Sequence, residues 1–355
     1  MKRSSKKAVV SMSGGLDSSV AAALLREQGF DVSGVFMRFW KDSKGGENSK
    51  STFDSEKRAR MTAGKLGIPF SVVNFEKEFK NRVVDYFLRE HKENRTPNPC
   101  VVCNKTIKFG LLLEKALELK ADYLATGHYA RLKKKNNKFL LLKAKDKTKD
   151  QSYFLWKLSQ EQLKHLLFPV GDYTKDKVRE MAKDLGLPAV QSPESMEICF
   201  IEGAVNEFLK KHLNPRPGQI VEKNTGKVLG EHQGLPFYTI GQRKMIGLSG
   251  GPYYVFKKNP EENSLIVTKN IKDLLKKEAR VIDVNWVSGK SPDFPFKAKG
   301  KIRYNHPGAQ VQVFKEREGI RAVFSQPQKA VTPGQSLVFY KRDRVLGGGI
   351  IDRAF

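Results

Sequence analysis

Apolar and polar positions alternate in two rhythms along the first third of the chain. Short apolar runs are followed by longer stretches in which apolar residues recur at helical spacing, and Gly or Pro separates most of them. The runs predict strands at residues 8–10, 32–37, 70–75 and 123–125, and the longer stretches predict helices at residues 20–26, 55–66, 78–91 and 106–120. This alternation is typical of an α/β fold with a doubly wound parallel sheet.

The pattern changes at about residue 206. Helical patterning continues to about residue 187, but further on short apolar runs broken by Gly and Pro replace the helices. Runs at residues 265–267, 281–284, 311–314, 322–324 and 337–340 predict strands of small barrels or sandwiches. We therefore expect three domains: a parallel-sheet domain at residues 1–205, a small central β domain at residues 206–280 and a C-terminal β-barrel at residues 281–355.

Residues 11–19 join the first predicted strand to the first predicted helix. Gly14 and Gly15 permit unusual backbone angles and leave no side chain between main chain and ligand. Asp17 and the two serines after it are favourable N-cap residues, so their hydroxyls are expected to add donors beside the free amides of the helix. Such a helix start binds phosphate well, although an ordinary strand-to-helix turn is the plainer interpretation. The spacing excludes a Walker A loop.

The sequence Ser-Gly-Gly-Leu-Asp-Ser in this turn resembles the signature of the PP-loop ATP pyrophosphatases. The resemblance implies that ATP is cleaved to AMP and pyrophosphate while an acceptor oxygen is adenylated. In a parallel sheet, ligands bind at the carboxyl ends of the strands. Residues 11–18, Met37 and residues 125–128 all fall there, and we expect them to line one nucleotide pocket.

Charge points to a polyanionic partner. The chain has 65 Lys and Arg against 38 Asp and Glu, a formal net charge of +27. The excess is spread over residues 2–7, 80–95, 131–138 and 143–149, which favours a broad contact with RNA or DNA over a targeting signal. No apolar run reaches the ~18 residues that a membrane span needs, so we expect a cytoplasmic protein with no membrane contact.

Three cysteines are too few for a disulfide framework. Cys100 and Cys103 form a C-x-x-C pair in a Pro-rich loop before a predicted helix, whereas Cys199 lies far along the chain. The helix start and nearby Lys105 and Lys108 predict a lowered thiol pKa and an available thiolate. A zinc site completed by a histidine, a redox pair and an inert buried thiol are alternatives. Beside an adenylating loop, a thiolate that carries sulfur would make a complete sulfur-insertion site.

Later motifs make the resemblance specific. They are Gly34-Val35-Phe36-Met37, Arg95-Thr96-Pro97-Asn98-Pro99, Ala125-Thr126-Gly127-His128-Tyr129, Lys149-Asp150-Gln151-Ser152-Tyr153-Phe154, Ile198-Cys199-Phe200-Ile201, Gly230-Glu231-His232-Gln233-Gly234, Ile240-Gly241-Gln242-Arg243 and Thr332-Pro333-Gly334-Gln335-Ser336. With them the chain resembles the bacterial tRNA-specific 2-thiouridylases, which thiolate C2 of the wobble uridine, position 34, in tRNAs for Lys, Glu and Gln. A HUP-like PP-loop domain and a tRNA-contacting C-terminal barrel are the architecture that this resemblance implies.

The resemblance assigns roles to individual residues. For ATP they are Ser11, Met12, Ser13, Gly14, Gly15, Leu16, Asp17, Ser18, Met37 and Gly127. For the target base they are Asn98, Pro99 and Cys100, and for the rest of the tRNA His128, Lys149, Asp150, Gln151, Arg303, Tyr304 and Gln335. A buried, hydrogen-bonded histidine is the alternative for His128, and a solvated surface is the alternative for the lysines.

The mechanism implied by the resemblance has two steps. The uridine O2 attacks the α-phosphorus of ATP, with Mg²⁺ and the loop amides stabilising the pyrophosphate. Cys199 then delivers sulfur received as a persulfide from a donor protein, while Cys103 forms a transient disulfide with Cys199 or frees hydrosulfide. Some relatives have Asp at Cys100, so three thiolates holding a [4Fe–4S] cluster are an equally open route. Two other functions remain open, an amine-using PP-loop ligase and a non-catalytic RNA-binding module.

Overall fold

The computed structural model describes residues 5–40, 48–191, 198–201 and 203–355. The beginning of the basic stretch at residues 2–7 lies outside the described residues. Within the described ranges, no helix combines the length and apolar character needed to cross a bilayer.

Strands and helices are numbered in chain order. The strands are β1 (Lys7–Ser11), β2 (Asp31–Arg38), β3 (Phe70–Asn74), β4 (Tyr123–Ala125), β5 (Ala130–Lys135), β6 (Lys138–Lys143), β7 (Leu166–Leu167), β8 (Gly218–Glu222), β9 (Val228–His232), β10 (Tyr254–Asn259), β11 (Ser264–Thr268), β12 (Leu275–Trp286), β13 (Phe296–Lys301), β14 (Ala309–Lys315), β15 (Ile320–Lys329), β16 (Ser336–Lys341) and β17 (Arg344–Ala354). The α-helices are α1 (Leu16–Glu27), α2 (Asn48–Leu66), α3 (Glu76–Phe79), α4 (Asp85–Lys92), α5 (Pro99–Cys103), α6 (Leu112–Glu118), α7 (Gln160–Leu163), α8 (Lys175–Asp184) and α9 (Val205–His212).

A parallel sheet in the order β3-β2-β1-β4-β7 forms the centre of the first domain. Alternate residues of β1 face two separate cores, Val9 on one side and Ala8 with Val10 on the other. A strand whose two faces are both apolar requires helices on both sides of the sheet. The predicted doubly wound α/β fold is therefore confirmed.

Helix α1 explains why residues 11–19 sit where they do. Its run of Ala, Val and Leu is buried almost throughout, which fixes the helix against the sheet directly after β1. The chain then turns at Gly29, whose φ of 80° lies in the left-handed region that glycine adopts without strain. The N-terminus of α1 is thereby held at the carboxyl edge of the sheet.

The predicted Pro-rich loop that carries Cys100 and Cys103 is partly wrong. Helix α5 begins at Pro99, so Cys100 and Cys103 lie within a helical segment and not in a loop ahead of one. Proline suits the first turn of a helix because it has no N–H to leave unpaired there. The helix continues through a π-helical segment, Asn104–Leu111, into α6. A similar π segment, Lys80–Val84, interrupts the long helix predicted at residues 78–91.

The second half is mainly β, as predicted. The strands β10-β11-β8-β9 form a small sheet, and β12-β15-β14-β13-β16-β17 form a barrel that closes through pairing of β12 with β17. The strand β12 passes through Val281 and α9 begins at Val205, so both predicted domain boundaries fall within or at the start of an element. The division into residues 1–205, 206–280 and 281–355 stays a prediction.

A hairpin of the first domain extends the sheet of the barrel. Strands β5 and β6 pair with each other around Asn136 and Asn137, whose φ angles are 48° and 58°. Lys143 N donates to Asp343 O at 2.8 Å beside the pairing of β6 with β17. The first and last domains are therefore joined at one continuous sheet.

Candidate active site

The turn after β1 is shaped by its glycines and by α2. Gly14 has a φ of 74°, and a Cβ there would collide with the Ser55 carbonyl oxygen, so only glycine fits. The Gly14 carbonyl oxygen accepts from Arg58 Nε at 3.2 Å, and Met12 N donates to Val35 O at 2.8 Å. Neighbouring elements thus hold the turn from both sides.

The predicted capping of α1 is wrong in detail. Gly15 is the N-cap residue and supplies no side-chain cap. The hydroxyls of Ser18 and Ser19 donate back to the Gly15 carbonyl oxygen at 3.1 and 3.0 Å, and Ser18 Oγ also accepts from Ser13 N. The serines therefore brace the loop itself and do not point their hydroxyls at a ligand. The first-turn amides of α1 are left without a side-chain cap, which suits an incoming phosphate.

Asp17 is held by two residues that the sequence did not single out. Lys175 Nζ on α8 lies 2.6 and 2.8 Å from the two carboxylate oxygens, and Tyr129 Oη donates to Asp17 Oδ1 at 2.8 Å. Burial first, and then the Asp17 carboxylate, raise the pKa of Tyr129, so its hydroxyl keeps its proton. These contacts fix the loop carboxylate in one position.

Gly127 and His128 connect this loop with the cysteine helix. A Cβ on Gly127 would lie 2.6 Å from Ser18 N, so β4 leads directly onto the first turn of α1. The ring of His128 lies 5.5 Å from that of Phe109 and 6.0 Å from that of Phe168. Its Nδ1 is 2.8 Å from Thr126 Oγ1. Burial lowers the pKa of His128, so the ring is neutral at pH 7.

Met37, the remaining predicted nucleotide contact, lies near the carboxyl end of β2, only 5% exposed. It pairs in register with Val73 and belongs to the same apolar core as Cys103. The placement at the strand ends matches the expected edge of the sheet. Its contact with ATP stays a prediction.

The three cysteines are free thiols with very different access to solvent. Cys103 is 4% exposed, Cys100 is half-buried and Cys199 is exposed. The charge of Cys199 raises the pKa of both other thiols, and Lys108 lowers the pKa of all three. Groups that influence one another in this way share one neighbourhood. Since Phe109 follows Lys108 and packs on His128, that neighbourhood adjoins the glycine turn.

The predicted lowering of the thiol pKa is wrong for this conformation. Burial is the largest effect and raises the pKa of Cys100 to about 11, and it raises the pKa of Cys103 as well. It also raises the pKa of Cys199, because the thiol is desolvated although the residue as a whole is exposed. Lys108 opposes this only in part, while Lys105 Nζ is engaged elsewhere and donates to Gln162 Oε1 at 2.8 Å. The sequence showed a helix start and lysines but not the depth of burial.

The residues predicted for the target base lie just before and at the start of α5. Asn98 is 7% exposed and lies beside the hydroxyl of the buried Tyr153, which donates to the Ser336 carbonyl oxygen at 2.9 Å, and Pro99 is buried. Gln335, predicted to contact tRNA, donates from Nε2 to the carbonyl oxygens of Thr96 and Pro97 at 3.1 and 3.3 Å. In this conformation the barrel therefore fixes the loop that leads to Cys100.

The other predicted tRNA contacts divide into inner and outer residues. Asp150 is 5% exposed and accepts from Ala144 N and Ser152 N, so it organises its own loop. Gln151 Oε1 accepts from Tyr129 N at 2.9 Å. Lys149 is half-buried, Arg303 is exposed, and the half-buried Tyr304 ring lies 4.6 Å from that of Phe154. Only this outer group is placed to meet a macromolecule without rearrangement.

Alkylation is expected to follow the exposure of the thiols. Iodoacetamide should label Cys199 first, Cys100 more slowly and Cys103 only on unfolding, with all rates rising as the pH increases above 8 because each thiol pKa is raised. Peptide mass spectrometry over a time course at several pH values measures this. Labelling of Cys103 at the rate of Cys199 in the folded chain would contradict the arrangement.

The whole chain has close relatives. Residues 6–203, 206–269 and 276–351 match family models described as a tRNA methyl transferase HUP domain, a tRNA methyl transferase PRC-barrel domain and an aminomethyltransferase beta-barrel domain. The tRNA-specific 2-thiouridylase MnmA of Clostridium perfringens is 46% identical over 365 residues, which covers 98% of both chains. The MnmA of Clostridioides difficile is 44% identical, and the match covers 98% of this chain and 99% of the relative. The MnmA of Geobacillus thermodenitrificans is 45% identical, and the match covers 98% of this chain and 95% of the relative. The chain belongs to the tRNA-specific 2-thiouridylase family.

Solved structures overlap with this member of the 2-thiouridylase family over only part of its length. The U34-tRNA thiolase NcsA from Methanococcus maripaludis, with its [4Fe-4S] cluster, is 20% identical with a TM-score of 0.36. The match covers 59% of this chain and 65% of that chain. An overlap of this size supports no conclusion about the site.

A metal cluster is not supported by the arrangement of side chains in this 2-thiouridylase family member. Among the residues that the structure describes, no three His, Cys, Asp or Glu side chains are grouped as ligands of one metal ion. Cys100, Cys103 and Cys199 as placed here therefore do not fit a [4Fe–4S] cluster. The cluster route stays a prediction, and the chemistry proposed below does not use it.

Proposed function

We propose that this chain is an ATP-dependent sulfurtransferase that thiolates C2 of the wobble uridine of tRNA. The observation that carries the proposal is that Gly127 packs on the first turn of α1 while the next residue, His128, packs on Phe109 of the helical segment that follows Cys103, in a chain whose relatives are named tRNA-specific 2-thiouridylases. An amine-using ligase would need the turn but not the thiols. The net charge of +27 suits a tRNA substrate.

The glycine turn has the features that a departing pyrophosphate needs. The first-turn amides of α1 are uncapped, and the absence of side chains at Gly14 and Gly127 lets the turn pack closely against Ser55 and against the first turn of α1. Asp17 is the loop carboxylate that would hold Mg²⁺, and Lys175 and Tyr129 orient it. Mg²⁺, when bound, neutralises the phosphates of ATP. Attack of the uridine O2 on the α-phosphorus then forms an O–P bond, breaks the bond to the β-phosphate oxygen and releases pyrophosphate.

Cys199 is the cysteine suited to receive sulfur, because the residue lies at the surface, and a small turn of its desolvated thiol would present it to a donor protein. Its persulfide sulfur attacks C2 of the adenylated uridine and AMP leaves with the bonding pair. Cys103, after losing its proton, attacks the Cys199 sulfur, which forms a Cys103–Cys199 disulfide and releases 2-thiouridine. A thiol reductant must reopen the disulfide before the next turnover. Since Cys103 is buried with a raised pKa, this step needs a rearrangement of α5 that exposes it.

The test uses the purified chain with ATP, Mg²⁺, a persulfide-loaded donor and unmodified tRNAs for Lys, Glu and Gln. We expect 2-thiouridine and pyrophosphate to appear in equal amounts, with tRNAs lacking a wobble uridine as the control. Pyrophosphate release that depends on an amine and not on the sulfur donor would favour the ligase. Tight tRNA binding with no pyrophosphate release would favour the RNA-binding module.

A further inference from the structure

Three lysines meet where the β5–β6 hairpin joins the barrel. We call Lys143, Lys299 and Lys301, with Tyr340 between them, the seam cluster. Lys143 is the last residue of β6, and its backbone N is bonded to Asp343 of the barrel at 2.8 Å. The first domain therefore supplies Lys143 to this cluster, and the barrel supplies the other residues.

The strand register brings the three side chains together. Lys299 on β13 pairs with Tyr340 on β16, and Lys301 lies two residues further on, which puts it on the same face of the sheet as Lys299. Lys143 Nζ lies 4.5 Å from the centre of the Tyr340 ring. Lys301 Nζ lies 5.7 Å from the centre of the Tyr304 ring. The aromatic faces hold both ammonium groups at this junction.

The protein compensates these charges only in part, through the nearby carboxylates of Asp150 and, for Lys143, Asp343. Lys143 and Lys301 are half-buried, and within the described ranges neither ammonium donates a hydrogen bond to a protein acceptor. Asp150 lies near both, but its carboxylate oxygens already accept from Ala144 N, Ser152 N and Ser152 Oγ. Desolvation is the largest effect and lowers the pKa of Lys143 and Lys301, the charge of Asp150 opposes it, and the neighbouring lysines add a smaller lowering. Fixed, desolvated cations that repel one another are stabilised by a shared anion.

We propose that the seam cluster binds a backbone phosphate of the tRNA. The inference rests on the proposed function for the choice of tRNA. The oxygens of one phosphodiester can accept from several ammonium groups at once and replace the hydrogen bonds that they lack. Phosphate contacts of this kind set the position of a nucleic acid without reading its sequence.

An RNA backbone suits this position better than a small anion. Lys299 and Arg303 are exposed, so the cluster opens onto the surface and is not an enclosed pocket. Lys301 Nζ lies 6.0 Å from the ring centre of Tyr153, whose hydroxyl lies beside Asn98 just before α5. An RNA strand bound at the seam cluster is therefore separated only by the Tyr153 side chain from Asn98, one of the residues predicted to meet the target base.

The experiment measures tRNA affinity against salt concentration for wild type, Lys143→Gln, Lys301→Gln and the double variant. Each lost phosphate contact is expected to weaken binding about five- to tenfold at 0.1 M salt and to reduce the slope of log K against log salt by about 0.7–0.9. Lys269→Gln is the matched control, because Lys269 also lies over a tyrosine ring, 5.1 Å from the centre of Tyr253. Lys143→Arg with Lys301→Arg should restore both quantities, and thermal melts check that each variant folds.

The outcomes separate the possibilities. An unchanged slope in a folded double variant would overturn the seam site, even if the wild type thiolates tRNA. A reduced slope in a wild type that thiolates nothing would retain the RNA site while overturning the proposed function. If millimolar inorganic phosphate raises the melting temperature of the wild type but not of the double variant, and tRNA affinity does not change, the ligand is a small anion and the proposal is wrong.

Discussion

Replacement of Cys199 by serine is expected to abolish 2-thiouridine formation, to below about a thousandth of the wild-type rate. The hydroxyl cannot carry a sulfane sulfur, so nothing reaches C2 of the activated base. The glycine turn is unchanged, and pyrophosphate release with tRNA should persist. Quantifying 2-thiouridine by mass spectrometry alongside pyrophosphate in the same reaction measures both steps.

The other two cysteines separate the two routes for sulfur. The persulfide route predicts that Cys103→Ser stops turnover after the sulfur adduct forms and that Cys100→Ser keeps thiolation. The cluster route predicts that Cys100→Ser is as inactive as Cys199→Ser. Thiolation by Cys199→Ser with the normal donor would contradict both routes.

Gly127→Ala should have the largest effect on ATP use. The new Cβ would lie 2.6 Å from Ser18 N and 2.7 Å from Asp17 C, both backbone atoms that cannot turn aside as a side chain would. The first turn of α1 must therefore shift, and displacement of catalytic groups by about 1 Å can cost about 100-fold in rate. We expect kcat/KM for pyrophosphate release to fall by about that factor.

Gly64→Ala is the matched control for this change. A Cβ on Gly64 meets nothing within 4 Å, and alanine in a helix is favoured over glycine by about 0.5–1 kcal/mol. Its ATP use should be within about twofold of wild type, with a slightly raised melting temperature. Wild-type pyrophosphate release from a folded Gly127→Ala variant would mean that the first turn of α1 does not hold the pyrophosphate.

Local signals in the sequence were sufficient for most elements but not for contacts between them. The spacing of apolar residues, together with the Gly or Pro residues between the apolar runs, predicts β1, α1 and the strands of the barrel. The sequence indicates only a basic stretch where the β5–β6 hairpin lies, although Asn136 and Asn137, which tolerate the positive φ angles of a tight turn, are a turn signal. A proline-rich stretch was taken as a loop, although Pro99 is favourable at a helix start.

The sequence predicts which residue types form the site, but it does not predict their hydrogen-bond partners or how deeply they are buried. The glycines after Ser11 follow from the motif, but nothing local to Asp17 indicates Lys175, which follows 158 positions later. The raised thiol pKa values arise from burial by the tertiary structure, which the spacing of Cys100 and Cys103 does not encode. Long-range packing and desolvation are therefore the parts that the sequence left open.

The barrel also determines the shape of the loop at the entrance to α5. Gln335 holds the carbonyl oxygens of Thr96 and Pro97, and Thr96 N donates to Pro333 O at 2.9 Å. A tilt of the barrel towards a bound nucleic acid would pull on this loop and thus on the first turn that carries Cys100. The barrel therefore helps to position the first turn of α5, and we expect its removal to loosen that turn as well as to remove the tRNA contacts predicted for Arg303 and Tyr304.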